Sequence, residues 1–130
     1  MRQKLNEIYR KAAAEFAQRV TSALGSQVDA IVLYGSVARG EAKRSSDIDI
    51  LLVSPHPNVT REWASEICSD LTFEHNYTFF ISLVHLGREE FKWHVRVRSP
   101  FICNVFEEGA ILYDNGTFSR VREEATAASR

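Results

Sequence analysis

The chain reads as an α+β domain in which a small mixed β-sheet has helices packed against it. Three observations carry that expectation. A long segment near the start has helical apolar periodicity, four short runs are β-branched or aromatic, and helical segments are interleaved between those runs. With 130 residues, one compact domain and one active site are the ceiling.

From Lys4 to Leu24, Leu5, Ile8, Ala12, Phe16, Val20 and Leu24 recur at three- and four-residue steps, and Gly25 ends this amphipathic helix. Val28 to Tyr34 is a nearly continuous apolar run suited to a buried strand, closed abruptly by Gly35-Ser36. Asp47 to Ser54, DIDILLVS, alternates as a second strand that opens on two acids. Pro55 and Pro57 bracket its end, and Thr60 is the expected N-cap of a helix running to about His75, with Glu62 in its first turn. Tyr77 to Leu86 is the third expected strand, interrupted by Gly87. Arg88 to Ser99 supports a helix through Phe91, Val95 and Arg98 and a strand through Trp93, Val95 and Val97; helix is the expectation. Pro100 opens a short helix, PFICNVFEE, which Gly109 ends. Ala110 to Tyr113 is a fourth short strand, and the polar chain beyond Asn115 reads as a frayed end or a short surface helix.

Composition narrows the function classes. A formal net charge of -1 provides no global positive field to draw the chain onto nucleic acid or acidic membrane, so nucleic acid is a minor hypothesis. No apolar run approaches the roughly 20 residues needed to span a bilayer, and MRQKLNEIYRK lacks the apolar core of a signal peptide; the cytoplasm is the expected address. Cys68 and Cys103 form no C-x-x-C pair and are expected to be small buried hydrophobes.

The informative stretch is YGSVARGEAKRSSDIDILLV, Tyr34 to Val53. Glycine at the end of a buried strand lets the backbone turn sharply and approach a ligand, so that the N–H groups following it and the Ser36 hydroxyl can meet phosphate oxygens. In Asp47-Ile48-Asp49 the strand period places both carboxylates on one face, about 6.6 Å apart. Two adjacent acids repel, and a hard dication such as Mg²⁺ stabilises them, because it takes one or two carboxylates plus substrate phosphates. Arg39, Lys43 and Arg44 supply positive charge between the two features.

Gly35-Ser36, ten residues, then Asp47-Ile48-Asp49 resembles the G-S-x(10)-D-x-D pattern of the nucleotidyltransferase superfamily that includes DNA polymerase β. The whole stretch looks like the minimal nucleotidyltransferases of bacteria and archaea. That resemblance implies a polymerase β palm-like nucleotidyltransferase fold at residues 1–114, with 115–130 as a polar C-terminal tail or short helix. It implies transfer of a nucleoside monophosphate, AMP from ATP being the favoured case, to a hydroxyl acceptor with release of pyrophosphate. Carried over, Asp47 and Asp49 are the catalytic metal ligands, Gly35 and Ser36 bind the triphosphate, Arg39 is a phosphate contact, and Lys43 and Arg44 are further candidates.

Active members of the superfamily usually carry a third carboxylate on a neighbouring strand, and Thr78 to Leu86 contains no acid. Ser82 stands near the expected place. His85 as a base, an acid from elsewhere such as Glu74 or Glu107, or a catalytically silent nucleotide-binding or toxin-neutralising domain are the open alternatives. Minimal nucleotidyltransferases of this kind are often partners of HEPN-domain toxins, which they modify with AMP on a tyrosine. Trp93, Phe101, Ile102 or Phe106 would be candidates to dock such a partner, although core positions are the commoner use of such residues. The basic set Arg88, Lys92, His94, Arg96 and Arg98 reads first as a solvated face. Exposed strand edges leave a homodimer open.

Overall fold

A computed structural model describes residues 2–128. Four strands form one mixed sheet: β1 (Ala30–Tyr34), β2 (Ile48–Ser54), β3 (Ile81–Gly87) and β4 (Ala110–Asp114), in the order β3-β2-β1-β4. β1 runs antiparallel to both β2 and β4, whereas β2 and β3 are parallel. The parallel pair needs a crossover, and α3 (Pro57–Glu74) supplies it. The remaining helices are α1 (Arg2–Leu24), α2 (Gly35–Ala38), α4 (Arg88–Val97), α5 (Pro100–Glu108) and α6 (Thr117–Ala128).

Strand alternation divides the apolar residues between two layers. Ile31, Leu33, Ile48, Ile50 and Leu52 pack on α1 and α3 through Phe16, Val20, Ala64 and Leu71. Ala30, Val32, Leu51 and Val53 face the other way, onto Phe91, Ile102, Val105 and Phe118 of α4, α5 and α6. Both faces of β1 and β2 are covered, which is why these central strands read as unbroken apolar runs.

Several boundaries move for identifiable reasons. α3 begins at Pro57, whose fixed φ suits the first helical turn, so Thr60 is not the N-cap; it is fully buried inside the helix. β3 begins at Ile81 rather than Tyr77, because Asn76 and Tyr77 take left-handed φ of 55° and 59° in the turn that ends α3. β1 begins at Ala30 and β2 at Ile48, leaving Asp47 just ahead of the strand. On α1 the buried stripe runs through Tyr9, Ala12, Ala13, Phe16, Ala17 and Val20, which leaves Ile8 on its shoulder, 47% exposed. The segment 88–99 is helical through Val97, with Arg98 at a left-handed φ of 52° ending it. Past residue 114 the chain continues as α6, whose Phe118 is fully buried. Asp114 accepts hydrogen bonds from the backbone N–H groups of Gly116, Phe118 and Ser119, holding the start of that helix.

Cysteine burial was expected for both thiols. Cys68 is half-buried, and burial pushes its pKa up to about 12; Cys103 is exposed. The latter sits on the outer side of α5, between buried Ile102 and Val105 in sequence but off their face.

Candidate active site

β1 ends at Tyr34, which pairs with Asp49 across the antiparallel ladder. That register brings the glycine turn directly over the second acid. Gly35 has φ +78°, a conformation that side chains disfavour. A Cβ there would collide with Asp49 Oδ2 and lie 3.1 Å from its Cγ. The glycine is therefore required twice, by the backbone and by the carboxylate pressed against it.

Asp49 is half-buried on the face of β2 shared with Leu51 and Val53, while Asp47 is exposed at the mouth. The Asp49 carboxyl is held above its ordinary pKa by burial first, then by the negative charges of Asp47 and Glu108, with Arg39 opposing them. Among the described residues, neither Asp47 nor Asp49 is ion-paired to a protein cation. Tyr34 feels the same field: burial, Asp49 and Glu108 push its phenol up to about 12.

Beside the acids, Ser36, Arg39, Glu41, Lys43 and Ser46 line an open cleft of about 460 Å³. The loop beneath it is held from α1 by Asn6, whose amide donates to the Val37 carbonyl at 3.1 Å and accepts from the Ala42 N–H at 3.1 Å. Lys43 N–H donates to the Ser46 hydroxyl at 2.8 Å, closing the last turn before Asp47. Arg44 does not join the cleft; its carbonyl accepts from the Tyr9 hydroxyl at 3.2 Å.

Gly35 thus meets Asp49, whose charge is felt with those of Asp47 and Arg39, while Ser36, Arg39 and Lys43 line the neighbouring cleft; the candidates for a third acid do not join them. His85 pairs in register with Leu52 and faces α3, on the opposite side of the sheet from Asp49. Its Nε2 lies 2.9 Å from the Ser54 hydroxyl and 2.8 Å from that of Thr60, which ties the ring to β2 and α3, away from the acids. Glu74 is bound bidentately by Arg19 at 2.9 and 2.7 Å on the far side of the domain. Glu107 lines a groove with Val95, Arg98 and Phe106. Ser82 stands beside Asp49 in the β2–β3 register and contributes only a hydroxyl.

The carboxylate that does reach the site is Glu108. Its Oε1 accepts from the Gly35 N–H at 2.9 Å and its Oε2 from Arg39 Nη1 at 2.8 Å. Of the glycine turn, the Gly35 N–H is thus taken by a protein carboxylate. Helical phase carries the signal: Ile102 and Val105 are buried, and three residues further on is 108, not 107.

Of the apolar docking candidates, Ile102 is core, Phe101 packs edge-on against Tyr34, and Phe106 packs against Phe91 and Phe118. Only Trp93 is open, at 50% exposure. The basic set is likewise partly committed: Arg88 chelates buried Asp29, Lys92 lies near Glu89, and His94 bonds Ser99.

With this geometry in hand, comparison with known proteins is informative. The model of the nucleotidyltransferase domain family matches residues 10–113. The Methanocaldococcus jannaschii protein named "Putative protein adenylyltransferase MJ0604" is 33% identical over 103 residues, covering 79% of this chain and 96% of that protein. A second from the same organism, MJ1305, with the same descriptive name, is 28% identical over 104 residues, covering 80% of this chain and 71% of its own length. A toxin–antitoxin structure with AMP-PNP superposes with a TM-score of 0.57 at 20% identity, over 89% of this chain and 86% of that one. The structure of a "putative nucleotidyltransferase" from Sulfolobus solfataricus gives 0.56 at 19% identity, over 88% and 89%. These superpositions show a shared fold. The glycine–serine turn set against the paired acids lies inside the matched span, and this chain belongs to the nucleotidyltransferase domain family and is a nucleotidyltransferase.

Proposed function

We propose that this enzyme transfers AMP from ATP to a hydroxyl of a protein acceptor, a tyrosine of a HEPN-domain toxin partner, with Mg²⁺ held by Asp47 and Asp49. The observation that carries the reading is the contact of Asp49 with Gly35, beside a cleft containing Arg39 and Lys43, with neither Asp47 nor Asp49 ion-paired among the described residues. Such a donor set fits a dication that takes its remaining ligands from phosphates and water. The protein adenylyltransferase names of the two archaeal relatives and the toxin–antitoxin structure with AMP-PNP support the donor and the kind of acceptor.

In this reading each residue has a physical task. Asp47 and Asp49 would hold the ion, which when bound neutralises the triphosphate and polarises the phosphorus that is attacked. The Ser36 hydroxyl, Arg39 and Lys43 bind and orient the phosphate tail, and Gly35 leaves the space in which Asp49 sits. The acceptor oxygen bonds to the α-phosphorus, the bond to the bridging oxygen breaks, and pyrophosphate leaves with that electron pair while the acceptor's proton passes to water.

The test uses the full chain with α-labelled ATP, Mg²⁺ and the protein encoded beside it. Label is expected on that protein, lost with EDTA and with Asp47→Ala. Transfer that survives Asp47→Ala would remove the two-acid mechanism; transfer to another acceptor, but not to this one, would remove the partner assignment.

A further inference from the structure

We propose that Glu108 is a positioning residue for the reaction: it locks the Arg39 guanidinium and the Gly35 turn into one rigid unit that presents the remaining Arg39 donors to the phosphate cleft. The inference rests on the reading of that cleft as the triphosphate site.

The bonds are specific and span the chain. Glu108 is 73 residues from Gly35 and 69 from Arg39, yet its two oxygens reach both. Arg39 is gripped on two edges, with Nε donating to Glu41 at 2.7 Å and Nη1 to Glu108 at 2.8 Å. A guanidinium has five N–H donors in a fixed plane, so these two bonds fix its orientation and leave three. Because the side chain is 45% exposed and lines the cleft, those three can face a ligand there. Holding a charged group in its bound orientation removes the entropy that a free arginine would lose on binding.

The mount beneath Glu108 is stiff. Glu108 is 20% exposed at the last turn of α5, a helix anchored by buried Ile102 and Val105. The next residue, Gly109, passes so close to β1 that a Cβ would collide with the Val105 carbonyl and lie 2.8 Å from Val32 Cγ1. From α6, Arg122 Nη2 donates to the Gly109 carbonyl at 2.7 Å while its guanidinium stacks over Phe118. The C-terminal helix thereby buttresses the acid that orients the phosphate-facing arginine.

A different role for the same contact has the opposite sign. If Glu108 merely competed with phosphate for Arg39 and Gly35, its removal would tighten phosphate binding; if it orients them, removal weakens it. The experiment is calorimetric titration of the full chain with magnesium tripolyphosphate, which reads the phosphate cleft without depending on base or acceptor, with thermal melts in parallel. Glu108→Ala and Arg39→Ala are each expected to raise Kd about tenfold, the scale of one charge-assisted hydrogen bond. Since Glu108 acts partly through Arg39, the losses in the double variant should be less than additive. Glu108→Gln keeps an acceptor for the Gly35 N–H but loses the ion pair, and should weaken binding with little change in melting. Tighter or unchanged binding in the Glu108 variants, or losses that add in the double variant, would overturn the proposal while leaving the cleft assignment intact. Failure of the unmodified protein to bind magnesium tripolyphosphate would overturn both.

Discussion

Replacing Gly35 by alanine tests the joint between the turn and the acid. The backbone there has φ +78°, and holding a residue with a Cβ in that region costs about 1–3 kcal/mol. For a domain of this size that corresponds to a fall in Tm of about 3–15 °C. The second effect is local. The new Cβ would collide with Asp49 Oδ2 and lie 3.1 Å from its Cγ, and carbon atoms settle at about 3.5–4.0 Å, so the carboxylate must retreat by about 1 Å. A displacement of that size in a reacting group costs about a hundredfold in rate. Label transfer from α-labelled ATP is thus expected to drop about a hundredfold. Gly25→Ala is the control, because φ is +50° but nothing lies within 4 Å of the added carbon. It should lower Tm by a few degrees and leave transfer intact. If Gly35→Ala transfers label as well as Gly25→Ala does, the packing of Asp49 against the turn has no part in function.

Three other consequences are measurable. Burial, with Arg61 nearby, holds His85 below its ordinary pKa of 6.5, so the folded state favours the neutral ring. Its contribution to stability is full above that value and is lost as pH falls towards the folded pKa; urea midpoints should decline between pH 7.5 and 5, less steeply in His85→Gln. Asp29 is 1% exposed and is bound by Arg88 at 2.7 and 3.0 Å and by the Asn115 amide at 2.9 Å, so Arg88→Ala strands a buried carboxylate. It should lower the urea midpoint, whereas exposed Arg96→Ala should leave the midpoint unchanged. Iodoacetamide should modify exposed Cys103 in the native protein and reach Cys68, with its raised pKa, only on unfolding; mass spectrometry showing native modification of both would contradict the burial assigned to Cys68.

The parts of the site legible in the sequence are those governed by local rules. A glycine ending an apolar run and two acids at strand spacing are visible in twenty residues, and they carried the resemblance as well. What was hidden depends on pairing and phase. Nothing local says that β3 runs parallel to β2 in the register that puts Ser82 beside Asp49 and turns His85 towards α3. The same limit explains Glu107 and Glu108, adjacent acids that differ by about 100° around α5, of which only the one in phase with Val105 meets Gly35. Thr60 looked like a cap because it is a threonine ahead of an apolar stripe, but Pro57 starts the helix a turn earlier and frees the hydroxyl for His85. The polar C-terminal segment concealed a fully buried anchor, Phe118, among polar neighbours.

The most direct measurement is a crystal soaked with Mn²⁺ and a non-hydrolysable ATP analogue, with the anomalous signal of manganese recorded. The account predicts one peak bridging the carboxylates of Asp47 and Asp49, with the analogue's phosphates lying along Ser36, Arg39 and Lys43. A peak away from both acids, or phosphates bound elsewhere on the domain, would contradict it.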